Sequence, residues 1–168
     1  NKNGFQDRRL FWRQLLSKAR PENVLEVGCN IGGNLYWLAQ LLSPRRVTGI
    51  DINDQALRKL VQHVPGVNAV MAPARDIPFK DGQFDLVFTS GVLIHQPGSS
   101  LKKVMSEVVR CSSRYVLALE YFSEKPVEIF YRGHKGALFK RDYGALYKRY
   151  FPKLKLIQKG ELHRAEGW

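Results

Sequence analysis

The stretch from Asn23 to Asp51 restricts this chain more than any other. A short apolar strand, Asn23–Val27, runs into a glycine turn that reads Glu26-Val27-Gly28-Cys29-Asn30-Ile31-Gly32-Gly33. A helix from about Asn34 to Leu42 follows, then a second strand, Arg46–Ile50, with Asp51 at its tip. A strand, a tight turn, a helix and a second strand ending on an acid form a βαβ unit. Such a unit needs a parallel sheet and a right-handed crossover. The alternation continues through helix Asp54–Val64, closed by Pro65-Gly66, strand Asn68–Met71, strand Phe84–Thr89, helix Ser100–Cys111 and strand Tyr115–Tyr121. The strands are near-continuous apolar runs, as expected where both faces of a sheet are covered. The expected fold is therefore α/β, with a mostly parallel central sheet and helices on both faces.

Outside this core the pattern changes. An amphipathic helix, Arg8 to Ala19, precedes it, with Leu10, Phe11, Leu15 and Leu16 on one face and Pro21 as its stop. After Tyr121 the regular alternation ends. Residues 122–142 are rich in Tyr, Phe, Gly and charge and read as a long functional loop or lid. A short basic helix, about Asp142–Tyr150, and a strand near Leu154–Gln158 are expected to follow.

The first turn also selects a ligand. A dinucleotide fold uses Gly-x-Gly-x-x-Gly so that the backbone can approach a pyrophosphate. Here the middle glycine is Asn30, in the pattern Gly28-x-Asn30-x-x-Gly33, and Glu26 would repel a phosphate. The same carboxylate favours a cation. S-adenosylmethionine carries an ammonium and a sulfonium and no phosphate, so it suits the turn better. Asp51, about twenty residues downstream, can accept both ribose hydroxyls.

The segments VLEVGCNIGGNL, GIDIN and APARDIPFKDGQFDLVFTSGVLIHQ, in this order and spacing, resemble the class I S-adenosylmethionine-dependent methyltransferase superfamily over roughly residues 23–120. The resemblance implies a Rossmann-like sheet and a cofactor site built from Glu26, Gly28, Asn30, Gly32, Asp51, Ile52, Ala74, Arg75, Thr89 and Ser90. Ala74 and Arg75 would flank the adenine, and Thr89 and Ser90 would lie under the methionine part. Where the superfamily often has an acid for the adenine amino group, this chain has Pro73, which shifts that contact to backbone groups, Ile52 and Ile77, or Asp76. The superfamily sheet ends in a sixth and a seventh strand, and the last strand is not evident here.

Within the superfamily the chain is similar to the pseudaminic acid biosynthesis-associated methylases. The likeness rests on Asn30, Glu120-Tyr121, Pro126-Val127-Glu128, Tyr131-Arg132-Gly133-His134 and Leu138-Phe139-Lys140-Arg141-Asp142. It implies a small acidic sugar or related metabolite as methyl acceptor. One domain over residues 1–168 is expected, with an N-terminal helix (1–22), a cofactor-binding core (23–121) and an acceptor-side segment (122–168).

Candidate catalytic residues follow from the position of the ligand edge. His95, shortly after the fourth strand, and Glu120, at the end of the fifth, lie at the carboxyl ends of the strands, where a base for a hydroxyl acceptor belongs. Tyr121, Tyr131, Arg132, His134, Lys140 and Arg141 are the candidate acceptor-binding residues, because arginine holds carboxylates and phosphates through paired hydrogen bonds. Asp85 reads as structural, tying the fourth strand to neighbouring backbone.

Charge agrees with an anionic acceptor. The net charge is +12, and residues 101–168 hold fifteen Lys/Arg against seven Asp/Glu, compared with twelve against eight in residues 1–100. The same surplus leaves RNA or protein methylation as an alternative. However, no Asn/Asp-Pro-Pro-Tyr/Phe motif follows the fourth strand, where Thr89-Ser90-Gly91-Val92 stands, and no nucleic-acid module is appended. A cofactor-binding domain without catalysis is the third reading. No apolar run reaches the roughly 18–20 residues of a membrane span, and no signal-peptide core opens the chain, so a cytoplasmic location is expected. Cys29 and Cys111 lack metal-ligand spacing and read as free thiols, with no metal site expected.

Overall fold

The computed structural model describes residues 2–162, with side chains from residue 8 onward. Its elements are α1 (Lys2–Ala19), β1 (Val24–Val27), α2 (Gly33–Leu41), β2 (Val47–Asp51), α3 (Asp54–His63), β3 (Asn68–Met71), β4 (Phe84–Ser90), α4 (Gly98–Cys111), β5 (Ser112–Leu119), β6 (Val127–Tyr131), β7 (His134–Lys140) and α5 (Tyr143–Tyr150). Single 3-10 turns occupy Pro44–Arg46 and Leu93–His95.

Five strands form one sheet in the order β3-β2-β1-β4-β5, all parallel. All four residues of β1 are buried, as its central position between β2 and β4 requires. Strand order reverses between β1 and β4, and a ligand crevice opens at the carboxyl ends of the strands at such a reversal. The two faces are covered by different elements. On one face Trp12 and Leu16 of α1, Leu35 and Leu38 of α2 and Leu57 and Leu60 of α3 pack with Val24, Leu86 and Phe88. On the other, Leu101, Val104, Met105 and Val108 of α4 pack with Leu25, Val27 and Val87, together with Leu138, Tyr143 and Tyr147.

Helix α1 turns three of the four expected residues to the core, Leu16 fully and Phe11 and Leu15 in part, and adds Trp12 in place of Leu10. Trp12, 0% exposed, stacks on Phe88 with ring centroids 4.8 Å apart, whereas Leu10 is 48% exposed. The buried pair Trp12 and Leu16 keeps the i, i+4 spacing, but the aromatic ring sets the rotation of the helix. Asn53 caps α3 by accepting the Ala56 N–H, and Asp142 caps α5 by accepting that of Ala145.

Two expectations past Tyr121 are corrected. Residues 122–142 are not an irregular loop, because β6 and β7 form an antiparallel hairpin separate from the main sheet. Its two-residue turn is Arg132-Gly133, with φ of 50° and 84°, the left-handed pair that suits the twist of a hairpin. The segment Leu154–Gln158 is not a strand. It has no strand partner, so Leu154 packs on the core while Leu156 and Ile157 stay exposed. The remaining chain, 163–168, lies outside the described residues.

The 77–82 segment, which leads into β4, is pinned to α4. Arg110 donates to the carbonyls of Ile77 and Phe79 and to Asp81, and pairs with Glu107 at 2.8 Å. Glu107 also accepts the Ile77 N–H at 3.0 Å. Its hydrogen bonds to Arg110 hold the Glu107 carboxyl down at about 2. Removing one partner of such a network leaves the other uncompensated, so Arg110→Met should cost about 2–4 kcal/mol of stability in denaturant unfolding. Because the folded value lies below the usual 4.5, the Glu107 contribution is present above that pH and is lost as pH falls toward 2. Arg110→Met should therefore lose part of the acid sensitivity of the wild-type chain.

Asp85 accepts the Glu22 N–H at 2.7 Å and the Ser113 hydroxyl at 3.1 Å, the structural tie read from its position. Cys29 and Cys111 are buried free thiols. Among the described residues no helix is long and apolar enough to cross a membrane.

Candidate active site

The crevice at the β1–β4 reversal is built around the first turn. Gly28 and Cys29 donate their N–H groups to the Ile50 carbonyl at 2.8 and 2.9 Å, drawing the turn onto β2. Gly28 has φ 74°, and a Cβ there would overlap Cγ2 of Val92. Both the backbone and the close approach of the segment after β4 therefore require glycine. Asn30 is left-handed as well, with φ 49°, and its N–H is accepted by Asp51 at 2.8 Å. The other Asp51 oxygen accepts the Asn53 N–H at 2.9 Å, so this carboxylate joins the turns after β1 and β2. Ile52 beside it is 74% exposed, whereas Ile77 is buried in the core. Ala74 is half-buried and Arg75 exposed on the loop after β3, and Thr89 and Ser90 end β4 beside Val27.

Glu26, the last residue but one of β1, stands at this reversal and is 2% exposed. Asn34, on the first turn of α2, donates to Glu26 Oε1 at 2.7 Å, while Glu26 Oε2 and Asn34 Oδ1 have no hydrogen-bond partner among the described residues. Burial pushes the Glu26 carboxyl up to about 8, opposed by Asn34 and by the Arg8 guanidinium, with Asp51 adding a smaller upward push. An acceptor atom buried without a donor is costly. The ammonium of an amino-acid ligand would supply the missing donor, so the residues present fit S-adenosylmethionine.

The acceptor side is organised by the hairpin, which packs on the Leu93–His95 turn. His95 Nδ1 lies 2.6 Å from the Ala137 carbonyl, and the His95 and Tyr131 ring centroids are 5.7 Å apart. A carbonyl only accepts, so Nδ1 carries a proton, and Nε2 is the ring nitrogen left to take one. Arg141 donates to the Gln96 carbonyl at 2.9 Å and stacks on Phe139. Lys140 stands over the Tyr121 ring, and Arg132 over that of Tyr131 at the exposed hairpin tip, next to exposed His134. Glu120 is already engaged, because its two oxygens accept the Val92 and Ile94 N–H groups at 3.2 Å each. Desolvation pushes the Glu120 carboxyl up, and the Thr89 hydroxyl and the backbone N–H groups of Leu93, Val92 and Ile94 pull it back down.

The structure thus gathers Glu26, Gly28, Asn30, Gly32 and Asp51 at one turn, and His95, Tyr131 and Arg141 at a second centre. Asn34 and Ala137 are partners that sequence reasoning missed. Asn34 has a signal, since it lies in the first turn of α2, eight residues after Glu26. A backbone carbonyl such as that of Ala137 has none. A separate cavity of about 420 Å³, lined by Arg13, Ser17, Arg20 and Arg46 among others, lies at the amino ends of the strands and shares no residue with the crevice.

Residues 24–114 match the family described as methyltransferase domain. The phthiotriol/phenolphthiotriol dimycocerosates methyltransferase of Mycobacterium tuberculosis is 33% identical over 91 residues, covering 53% of this chain and 33% of the relative. The fatty-acid O-methyltransferase of Mycolicibacterium smegmatis is 37% identical over 68 residues, covering 39% of this chain and 25% of the relative. The chain thus spans a quarter to a third of the length of these curated relatives. In fold it is similar to the sugar N-methyltransferase KedS8 from Streptoalloteichus, with a TM-score of 0.62 at 14% identity, covering 74% of this chain and 55% of that one. The parallel sheet, the crevice at its reversal and the family match over more than half of the sequence lead to one conclusion: the chain belongs to the methyltransferase-domain family of the class I S-adenosylmethionine-dependent methyltransferases.

Proposed function

We propose that this chain transfers a methyl group to an oxygen of a small anionic acceptor, such as a nonulosonic-acid sugar or a related metabolite. The carrying observation is the seating of the hairpin on the Leu93–His95 turn, which groups His95, Tyr131 and Arg141. The fatty-acid O-methyltransferase among the relatives supports an acidic small molecule and an oxygen acceptor.

When bound, S-adenosylmethionine supplies an electrophilic methyl on a sulfonium. Glu26 would hold its ammonium, Asp51 its ribose hydroxyls, and Ile52, Ala74 and Arg75 its adenine. The hairpin excludes water from the reacting centre, which favours transfer to the acceptor over loss to solvent. His95, its Nδ1–H fixed on Ala137, takes the proton of a hydroxyl acceptor on Nε2. A carboxylate acceptor needs no base. Lys140 and Arg141 supply positive charge at the inner end of β7, and Arg132 does so at the tip of the hairpin, where His134 adds a ring hydrogen-bonding group. Glu120 orders the segment that carries His95.

The test is a methyl-transfer screen read by mass, using nonulosonic acids, their nucleotide-activated forms and simple carboxylates. Transfer to one of these classes is expected. For a hydroxyl acceptor, His95→Gln should lower kcat about 10²–10⁴-fold with S-adenosylhomocysteine affinity unchanged. Transfer to RNA in place of every small acid would overturn the acceptor class. Full activity of His95→Gln on a hydroxyl acceptor would remove His95 as the base.

A further inference from the structure

The cavity at the amino ends of the strands takes no part in the chemistry of the crevice. Its volume of about 420 Å³ falls in the range of small-molecule sites, roughly 300–1,000 Å³. Arg13 on α1 and Arg20 just after it, two turns apart on one face, both line it. Arg46 lines it from the 3-10 turn before β2, and Leu16, Pro21, Leu41 and Leu42 give it an apolar wall. Glu22 is the single acid among the lining residues, and among the described residues no ion pair joins it to these arginines. Three guanidinium groups therefore converge on one concave surface against one carboxylate.

The fold does not need them there. A helix end attracts cations to its unpaired carbonyls. At α1 those carbonyls are already claimed. Arg114 donates to those of Ala19 and Arg20 at 3.3 and 3.4 Å, and Arg20 Nε to that of Ser17 at 3.4 Å. Arg13 lies six residues before Ala19, outside the last turn where that attraction acts. The guanidinium groups of Arg13 and Arg46 make no hydrogen bond or ion pair among the described residues. Arg20 adds a second sign. Its φ of 45° is left-handed, at a helix stop where glycine is the usual residue, and its N–H is accepted by the Leu16 carbonyl at 2.9 Å. A side chain in that conformation has a cost, and here the residue that bears it lines the cavity.

We infer that this cavity is a second ligand site, separate from methyl transfer, for a small molecule that carries a phosphate group on an apolar body. Guanidinium forks bind phosphate oxygens through paired hydrogen bonds. The oxygens of a phosphate are arranged tetrahedrally and meet forks from several directions, whereas a carboxylate presents its two oxygens in one plane. The leucine and proline wall receives the apolar part.

The experiment titrates phenyl phosphate, inorganic phosphate and benzoate into the chain at fixed ionic strength, followed by calorimetry. Phenyl phosphate should bind about tenfold tighter than either of the others, since it alone uses both the forks and the wall. The double variant Arg13→Gln, Arg46→Gln should weaken it about 10–100-fold with an unchanged melting temperature, because both side chains are exposed. Lys148→Gln with Arg149→Gln makes the same change in charge on the exposed side of α5 and should leave affinity within about twofold. Arg132→Ala should do the same. Equal weakening by the Lys148 and Arg149 pair would reduce the arginines to a general basic surface and overturn the inference. Weakening by Arg132→Ala alone would move the binding to the hairpin, benzoate binding as tightly as phenyl phosphate would remove the phosphate assignment, and a wild-type chain that binds no probe would leave only solvated arginines. None of the probes is a cofactor or a methyl acceptor screened above for transfer, so failure of the methyl-transfer reading leaves this test intact.

Discussion

Asp51→Ala should weaken S-adenosylhomocysteine binding by about 2–4 kcal/mol, measured by calorimetry. The size of the effect comes from two roles held by one carboxylate. Asp51 already accepts the Asn30 and Asn53 N–H groups, which fixes the left-handed turn after β1 relative to the start of α3. Each oxygen of an ionised carboxylate has a second lone pair, and these are what the ribose hydroxyls are proposed to use. Alanine removes the ligand contacts and releases the turn, whereas Asp51→Asn keeps an acceptor and should lose less. A lowered melting temperature with unchanged affinity would make Asp51 a structural clamp alone and place the ribose elsewhere.

The parts of the chain that were legible in the sequence are those fixed by local pattern. The five sheet strands are apolar runs between turn signals, and their parallel pairing follows from the helices between them. Asp51 was visible because it ends a strand at the right distance from a glycine turn. The hairpin was less visible. Its turn has glycine only at the second position, and Arg132 adopts φ 50° because strand pairing, from Val127–Lys140 to Tyr131–His134, requires it. Its core contact is similarly sparse: Leu138 is buried and Ile129 and Tyr131 partly so, while Phe130 faces outward. The segment Leu154–Gln158 shows the converse case. Its composition suits a strand, but a strand also needs an edge to pair with, and sequence alone does not supply one. Long-range partners were the hardest to see. Nothing near Glu120 in the sequence announces that Val92 and Ile94 will claim its oxygens.

Cofactor affinity should depend steeply on pH, and in the opposite sense to the stability of the unliganded chain. Burial holds the Glu26 carboxyl at about 8, above its usual 4.5. The folded chain therefore keeps a proton that the unfolded chain releases. Its stabilising contribution is whole below pH 4.5 and disappears as pH rises through 8. A bound ammonium reverses the preference, because it favours the ionised carboxylate. Below pH 8, binding must expel the Glu26 proton, so S-adenosylhomocysteine affinity should fall by up to roughly tenfold per pH unit on acidification. Calorimetry in buffers of different ionisation enthalpy would register the released proton directly. Glu26→Gln is nearly isosteric and keeps an acceptor for Asn34, so the fold should survive and lose less stability between pH 5 and 9. The same variant should bind S-adenosylhomocysteine weakly and with a flat pH profile, because an amide carries no charge for the ammonium. A flat profile in the wild-type chain, with tight binding throughout, would mean that Glu26 stays neutral under the ligand and that the ammonium is held by other groups.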